Sequence, residues 1–425
     1  MKSYCYTSGL ASLLLIAGCS QSQPVAASEP PVNSPAPVTV VAAAPTTNFV
    51  ALPREFEPCV AELKQRSAAA GVSAATIEQG FATIRPLEDV LRLDRAQPEF
   101  TAGFAEYYAS SVSADRVARA QRLLQQHQAM FTKIEAEYGV PPQYLLAFWG
   151  LETNFGGYFG NTHILSALTT LACEGRRGEL FSGELINALK IIDAGEMTPE
   201  RMRGSWAGAM GNVQFMPTTF LKYAVDGDGD GKRDLWGSVP DAMASAANFL
   251  RGLGWQRGVR WGREVRLPEQ FDYRQSGIKV QKPLTEWAAL GVVAIDGTPL
   301  TATDVQAMLI VPTGYTGPVF LAYDNFNVTM GWNRAEAYAL AVGLLADRIA
   351  GGSAPTRAPV KALRLSRQQV IQIQNFLNSG GFNAGEADGL FGAGTRAAIS
   401  RFQHANGLIA DGFPTPALLH LLGAE

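Results

Sequence analysis

The stretch PPQYLLAFWGLETNFGGYFG, Pro141 to Gly160, holds a single charged side chain, Glu152, among Leu, Phe and Trp. Two prolines suit the first turn of a helix, where a missing N–H leaves no bond unmade. Gly156-Gly157 predict its end. Leu145, Phe148, Trp149 and Glu152 then follow at i, i+3, i+4 and i+7, on one otherwise apolar face. A carboxylate at the end of such a face loses hydration, so its pKa rises toward neutrality. A carboxylic acid still protonated near pH 7 can serve as a general acid. On spacing alone the same glutamate also suits a structural role, bonded to backbone or paired with an arginine.

The 425 residues exceed one ordinary domain, and a net charge of −3 gives no field that would draw nucleic acid. The four histidines have no metal-ligand spacing. Lys2, the apolar run Leu10–Ala17 and Gly18-Cys19 predict a secretory signal over 1–18, too short to span a bilayer. IAGC resembles a bacterial lipobox, which makes Cys19 the lipidated first residue of the mature chain. Ser20 after it, by resemblance to sorting rules in enteric bacteria, implies the outer membrane. The alternative is an ordinary signal peptide with a coincidental cysteine. Export places the chain in an oxidising compartment, where Cys59 and Cys173, left once Cys5 and Cys19 are set aside, are expected to pair. Two separate buried thiols are the other reading.

Residues 19–48, rich in Ser, Pro, Ala, Val and Thr, read as a tether. GGSAPTRAPVKA marks a second break, a linker over 353–362, so 49–352 form one large unit and 363–425 a small one. Helical periodicity runs through PCVAELKQRSAAAGV, RVARAQRLLQQHQAMFTKIEAEYGV, SGELINALKIIDAG, DAMASAANFLRGLGW and NRAEAYALAVGLLADRIAGG. From about 258 to 330 short β-prone pieces such as REVRLP, VVAI and VFLAY predict a small strand-rich insert. The class is α+β, mostly α.

FWGLETNFGGYFGNTHILSALTTLA, Phe148–Ala172, resembles the glutamate motif of the membrane-bound lytic murein transglycosylase B family. GSWAGAMGNVQFMPTTFLKYAVDGDGDGKRDLW, Gly204–Trp236, resembles its second signature, and SAANFLRGLGW and GWNRAEAYALAVGLLADRI follow in the family's order. The resemblance implies a lysozyme-like core that cleaves the MurNAc–GlcNAc β-1,4 bond of peptidoglycan. A glycosidase normally uses two carboxylates, yet no second acid lies in a comparable apolar setting. The family instead uses its glutamate twice, as acid and then as base, which implies a 1,6-anhydro-MurNAc product with Glu152 as the catalytic group. The resemblance further assigns Ser205 and Gln214 to holding the glutamate and substrate, Asn333 to the cleavage site, and Tyr107 to substrate contact, with Tyr108 an alternative. Phe155, Phe215 and Met216 suit either sugar stacking or the core. The chemistry requires no cofactor.

DGDGDGKRDLWG, Asp226–Gly237, places Asp226, Asp228, Asp230 and Asp234 at positions 1, 3, 5 and 9 of an EF-hand-like loop, with the Lys232 carbonyl at 7. Position 12 is Gly237 where a bidentate Glu is expected, with Asp241 four residues on. A weak structural calcium site and a solvated Asp-Gly turn both fit. At the C-terminus, DGLFG, the TRAAISRFQ run and the following DG resemble a three-helix peptidoglycan-binding module. The expected partners are glycan strands and, through lipid, the outer membrane of a Gram-negative periplasm; the sequence carries no signal for a protein partner. Two other functions stay open: a muramidase hydrolysing the same bond, and a non-catalytic wall-binding lipoprotein.

Overall fold

The computed structural model describes residues 55–96 and 103–424, all within one compact unit. The expected signal peptide, Cys19 and the tether 19–48 lie outside the described residues. None of the described helices is long and apolar enough to cross a membrane.

The helix Pro142–Thr153 lies at the centre of the large unit, packed against Glu336–Ile349, Ala114–Gln126, Val239–Gly252 and Gln128–Tyr138. Tyr144 through Gly150 are buried without interruption, and Leu145, Leu146, Ala147 and Phe148 are fully enclosed. The expected single apolar face is therefore corrected: a helix apolar on every side is one surrounded by protein. It also ends before the glycine pair. Asn154 and Phe155 take positive φ of 49° and 57° directly after Thr153. Phe155 folds back over the helix because Gly150 leaves room. A Cβ there would stand 2.8 Å from the Phe155 ring.

The periodic run from Arg116 to Val140 is two helices, Ala114–Gln126 and Gln128–Tyr138, broken at His127. Each closes its own backbone bonds there: His127 N donates to Leu123 O at 3.0 Å, and Phe131 N to His127 O at 3.0 Å. Cys59 in Phe56–Ala69 and Cys173 in Ile164–Glu174 form a disulfide, with Cα atoms 5.8 Å apart. A crosslink across so long a loop is worth about 4–5 kcal/mol in the chain-entropy account.

The insert is a five-stranded antiparallel sheet in the order Gln281–Pro283, Gln306–Ile310, Val319–Ala322, Gly262–Arg266, Val293–Ala294. Leu309 pairs with Leu321, and Trp287 and Leu284 close a second core around them. The C-terminal helices Arg367–Ser379, Ala393–Ala405 and Pro416–Leu421 bury a third core around Ile373, Leu377, Ile399 and Leu418. A capping box of Ser366 and Gln369 starts the first of them. The segment expected to be a linker is laid against the sheet, where Thr356 N donates to Glu264 Oε2 at 2.8 Å.

Candidate active site

Glu152 sits in the last turn of the central helix and is partly buried. Its Oε1 accepts two side-chain donors: the Trp332 indole N–H at 3.0 Å and the Tyr338 hydroxyl. Oε2 has no protein partner among the described residues. Burial pushes the Glu152 pKa up to about 7, against the two donors, which favour the ionised form. The negative end of the helix dipole opposes ionisation as well. Tyr338 is buried and raised well above the ordinary tyrosine range by that burial and by the neighbouring carboxylate, so it stays a donor. Among the described residues, no carboxylate is a cause of that shift in Glu152: burial, Tyr338 and Trp332 account for it.

Trp332 is fixed by packing. Its ring lies 4.4 Å from Phe148, 5.1 Å from Phe249 and 5.5 Å from Phe215 between centroids. Phe148 is one turn before Glu152, so the two aromatics that hold the acid are themselves held by its own helix.

Tyr107 lies on the helix Phe104–Ser111. Burial raises its pKa, and the charge of Glu152 adds to the rise, so this tyrosine lies within electrostatic reach of the acid. Tyr108 instead senses Arg348 and Glu264. Asn333 directly follows Trp332 and ends its helix; its Oδ1 accepts from Ala335 N at 3.0 Å. Ser205 and Gln214 lie on the loop that crosses beside the central helix. Ser205 Oγ accepts from Ala209 N at 2.9 Å. Gln214, at φ 51°, donates to Gly211 O at 2.9 Å and to Phe159 O at 3.2 Å. Neither bonds Glu152, so the expectation that they hold the acid is corrected: Trp332 and Tyr338 do. Phe155 and Phe215 are buried core residues, whereas Met216 is partly exposed.

The loop is fastened by Asn212, which sequence reading missed. Its Oδ1 accepts from Trp149 Nε1 at 2.8 Å, and its carbonyl from Thr153 Oγ1 at 2.8 Å. Its Nδ2 donates to Leu235 O at 2.9 Å and Trp236 O at 3.1 Å. One buried amide thus ties the glutamate helix to the loop that carries Ser205 and Gln214 and to the end of the acidic loop.

In the acidic loop, carboxylate oxygens of Asp226, Asp228 and Asp230 lie within 4.8 Å of one another. Asp226 also accepts from Gly229, Asp230 and Gly231 N–H groups, and Asp230 from Lys232 N at 2.9 Å. Asp234 is turned to the N–H groups of Trp236 and Gly237, each at 2.9 Å. Asp241 is buried and accepts from Gly227 and Asp234 N–H groups, both at 2.8 Å. It pins the two ends of the loop together in place of a position-12 ligand.

Residues 55–347 match the Transglycosylase SLT domain, and 366–422 a putative peptidoglycan-binding domain. Membrane-bound lytic murein transglycosylase B of Escherichia coli K12 is 30% identical over 290 residues, 66% of this chain and 79% of that protein. The crystal structure of SltB3 from Pseudomonas aeruginosa in complex with NAG-NAM-pentapeptide superposes with a TM-score of 0.83 at 44% identity, covering 87% of this chain and all of that one. A second structure holds SltB3 with NAG-anhNAM-pentapeptide, at the same TM-score and identity. The Escherichia coli lytic transglycosylase Slt35 in complex with calcium matches at TM-score 0.60 and 30% identity, over 69% of this chain and 93% of its own. The chain belongs to the lytic transglycosylase family that carries the SLT domain.

Proposed function

We propose that this lytic transglycosylase cleaves the MurNAc–GlcNAc β-1,4 bond of peptidoglycan without water, through Glu152 alone. The carrying observation is the one-sided anchoring of the carboxyl. Trp332 and Tyr338 occupy Oε1, which leaves Oε2 to carry the proton and meet substrate. Oε2–H protonates the glycosidic oxygen as the C1–O bond breaks. The resulting carboxylate, stabilised by the same two donors, takes the proton of the MurNAc C6 hydroxyl as O6 bonds to C1. The acid is restored and 1,6-anhydro-MurNAc is released. A nucleophile within the same sugar needs no second protein carboxylate, and its proximity removes much of the entropic barrier.

Among the described residues no second acid is a cause of the Glu152 shift, which favours ring closure over muramidase hydrolysis. The relative bound to an anhydro-sugar peptide is consistent with that product. Tyr107, Ser205, Gln214 and Asn333 are proposed to contact the glycan. Ser205 retains a hydroxyl proton and Asn333 an amide not committed to any described group. In-gel digestion of embedded murein tests the reading: wild type clears the gel and Glu152→Gln does not. A cleared zone from Glu152→Gln would refute it.

The convergence of Asp226, Asp228 and Asp230 fits a calcium ion, with the Lys232 carbonyl and Asp234 as further oxygen donors. Its role is structural, since the loop reaches the site through bonds of Leu235 and Trp236 to Asn212 and Arg203, and none of its carboxylates bonds Glu152. Lipid attachment at Cys19 and a periplasmic, outer-membrane location complete the proposal, in keeping with a relative named as membrane-bound.

A further inference from the structure

The C-terminal unit contains one turn built twice. Gln374 Nε2 donates to Asp388 Oδ1 at 3.0 Å, and Gln403 Nε2 to Asp411 Oδ1 at 3.0 Å. Gly389 N and Gly412 N return to the glutamine oxygens at 2.9 and 2.8 Å. Leu390 N and Phe413 N donate to the aspartate Oδ1 atoms at 2.8 and 2.9 Å. Gly389 and Gly412 have φ of 77° and 70° and press against Arg367 and Arg396 respectively. In both turns Oδ1 is consumed internally and Oδ2 is left over.

The second turn shows what Oδ2 takes. Asp411 Oδ2 accepts from the backbone N–H of Tyr315, in the loop between two strands of the insert, at 2.9 Å. The residue before that N–H is Gly314, at φ 77°. An L-type Cβ on Gly314 would stand 2.9 Å from Asp411 Oδ2 and 2.9 Å from Phe413 Cβ. The turn thus holds an amide preceded by a residue of left-handed φ that bears no L side chain. A D-residue meets both conditions: positive φ is its ordinary region, and its Cβ replaces the opposite hydrogen.

The first turn has the same frame and no occupant. Asp388 Oδ2 has no partner among the described residues, and Leu390, the counterpart of Phe413, is 67% exposed. We propose that the Asp388–Leu390 turn recognises a D-amino-acid residue followed by a peptide N–H, with Asp388 Oδ2 accepting that N–H. Peptidoglycan stem peptides supply this chemistry at D-Ala, either at an uncleaved D-Ala-D-Ala end or at a cross-link. The proposal rests on the peptidoglycan reading above and adds a handedness to it.

The test is NMR titration of the full chain with N-acetyl-D-alanine methylamide, its L enantiomer, and N-acetyl-D-Ala-D-Ala. The D probe should shift the amides of Gly389 and Leu390, with the L probe about tenfold weaker. N-acetyl-D-Ala-D-Ala binding as well as the methylamide marks the uncleaved end as a ligand; the methylamide binding better marks the cross-link. Asp388→Asn keeps one oxygen for the internal bonds but points a donor outward, and should lose the enantiomer preference. Leu390→Glu, at an exposed position where folding is not at stake, should weaken the D probe too. Equal shifts from both enantiomers, undiminished binding by Asp388→Asn, or no shifts at the turn would overturn the proposal. Sacculus digestion runs alongside. A wild type that leaves sacculi intact overturns the peptidoglycan reading and this one with it; cleavage with an enantiomer-blind turn overturns this one alone.

Discussion

Tyr338 and Glu152 stand 186 residues apart in the chain, and the tyrosine hydroxyl donates to Oε1 of the glutamate beside the Trp332 N–H. The pair balances two opposed effects. Burial favours the neutral acid needed to protonate the leaving oxygen, and the donors favour the carboxylate needed to take the C6 proton. A pKa of about 7 leaves both forms within reach at neutral pH.

Removing one donor should therefore tilt the balance in a known direction. Tyr338→Phe takes away a bond to the charged form, so the Glu152 pKa moves further up and the high-pH limb of the rate profile moves with it. Turnover should fall about tenfold or more as the carboxyl loses its orientation. Rates on a soluble glycan fragment from pH 5 to 9 would check this, roughly spanning the titration expected for one such group. A limb displaced to lower pH contradicts the assignment.

Glu152→Gln should change stability as well as activity, and the change should depend on pH. The folded-state pKa of about 7 lies above the ordinary 4.5. Between these values the folded state holds a proton that the unfolded chain has lost, so wild-type stability falls as pH rises through that window. The full difference is about 3 kcal/mol above pH 7, and it vanishes below pH 4.5. Glutamine can accept the same two bonds through its Oε1 and does not titrate. Melting curves should show the variant gaining on wild type from pH 4 to 8; a constant offset would mean the acid is not desolvated.

Asn212→Ala removes the amide that joins the central helix to the loop carrying Ser205 and Gln214. It leaves the buried Trp149 N–H without an acceptor, which costs about 1–3 kcal/mol. Chemical denaturation should show that loss, with a lower midpoint and an unchanged slope. Stability within about 0.5 kcal/mol of wild type would show that the hub carries no weight.

Calcium at roughly a hundredfold over its Kd should add about 2.7 kcal/mol, a rise of several degrees in Tm. EGTA should reverse the rise and Asp228→Asn should diminish it. Asp241→Asn should destabilise the loop even without calcium, because its carboxylate accepts backbone N–H groups at both ends. No calcium-dependent shift in wild type would leave the loop a hydrogen-bonded turn.

The acid was legible because a charge on a surrounded helix is conspicuous in any register. Its holders were not. Trp332 and Tyr338 are remote in sequence, and within NRAEAYALAVGLLADRI a tyrosine on an Ala- and Leu-rich face reads as core. Packing alone decides that its hydroxyl meets a carboxyl. Asn212 gave one faint signal: an amide between Gly211 and Val213 in an apolar loop must find partners if buried. The strand-rich insert was legible at three of its five strands. Gln281–Pro283 and Gln306–Ile310 escaped, one because it is short and the other because QAMLI lacks alternation. The break at His127 left the apolar spacing intact on both sides, so periodicity could not reveal it.

The most direct test of the central claim is mass spectrometry of the products of purified sacculi digested with wild-type protein in heavy-oxygen water. Proton recycling by Glu152 alone predicts muropeptides ending in 1,6-anhydro-MurNAc, with no heavy oxygen incorporated, and none released by Glu152→Gln. Reducing MurNAc ends that carry the heavy label would show that water attacks C1, and would contradict the account.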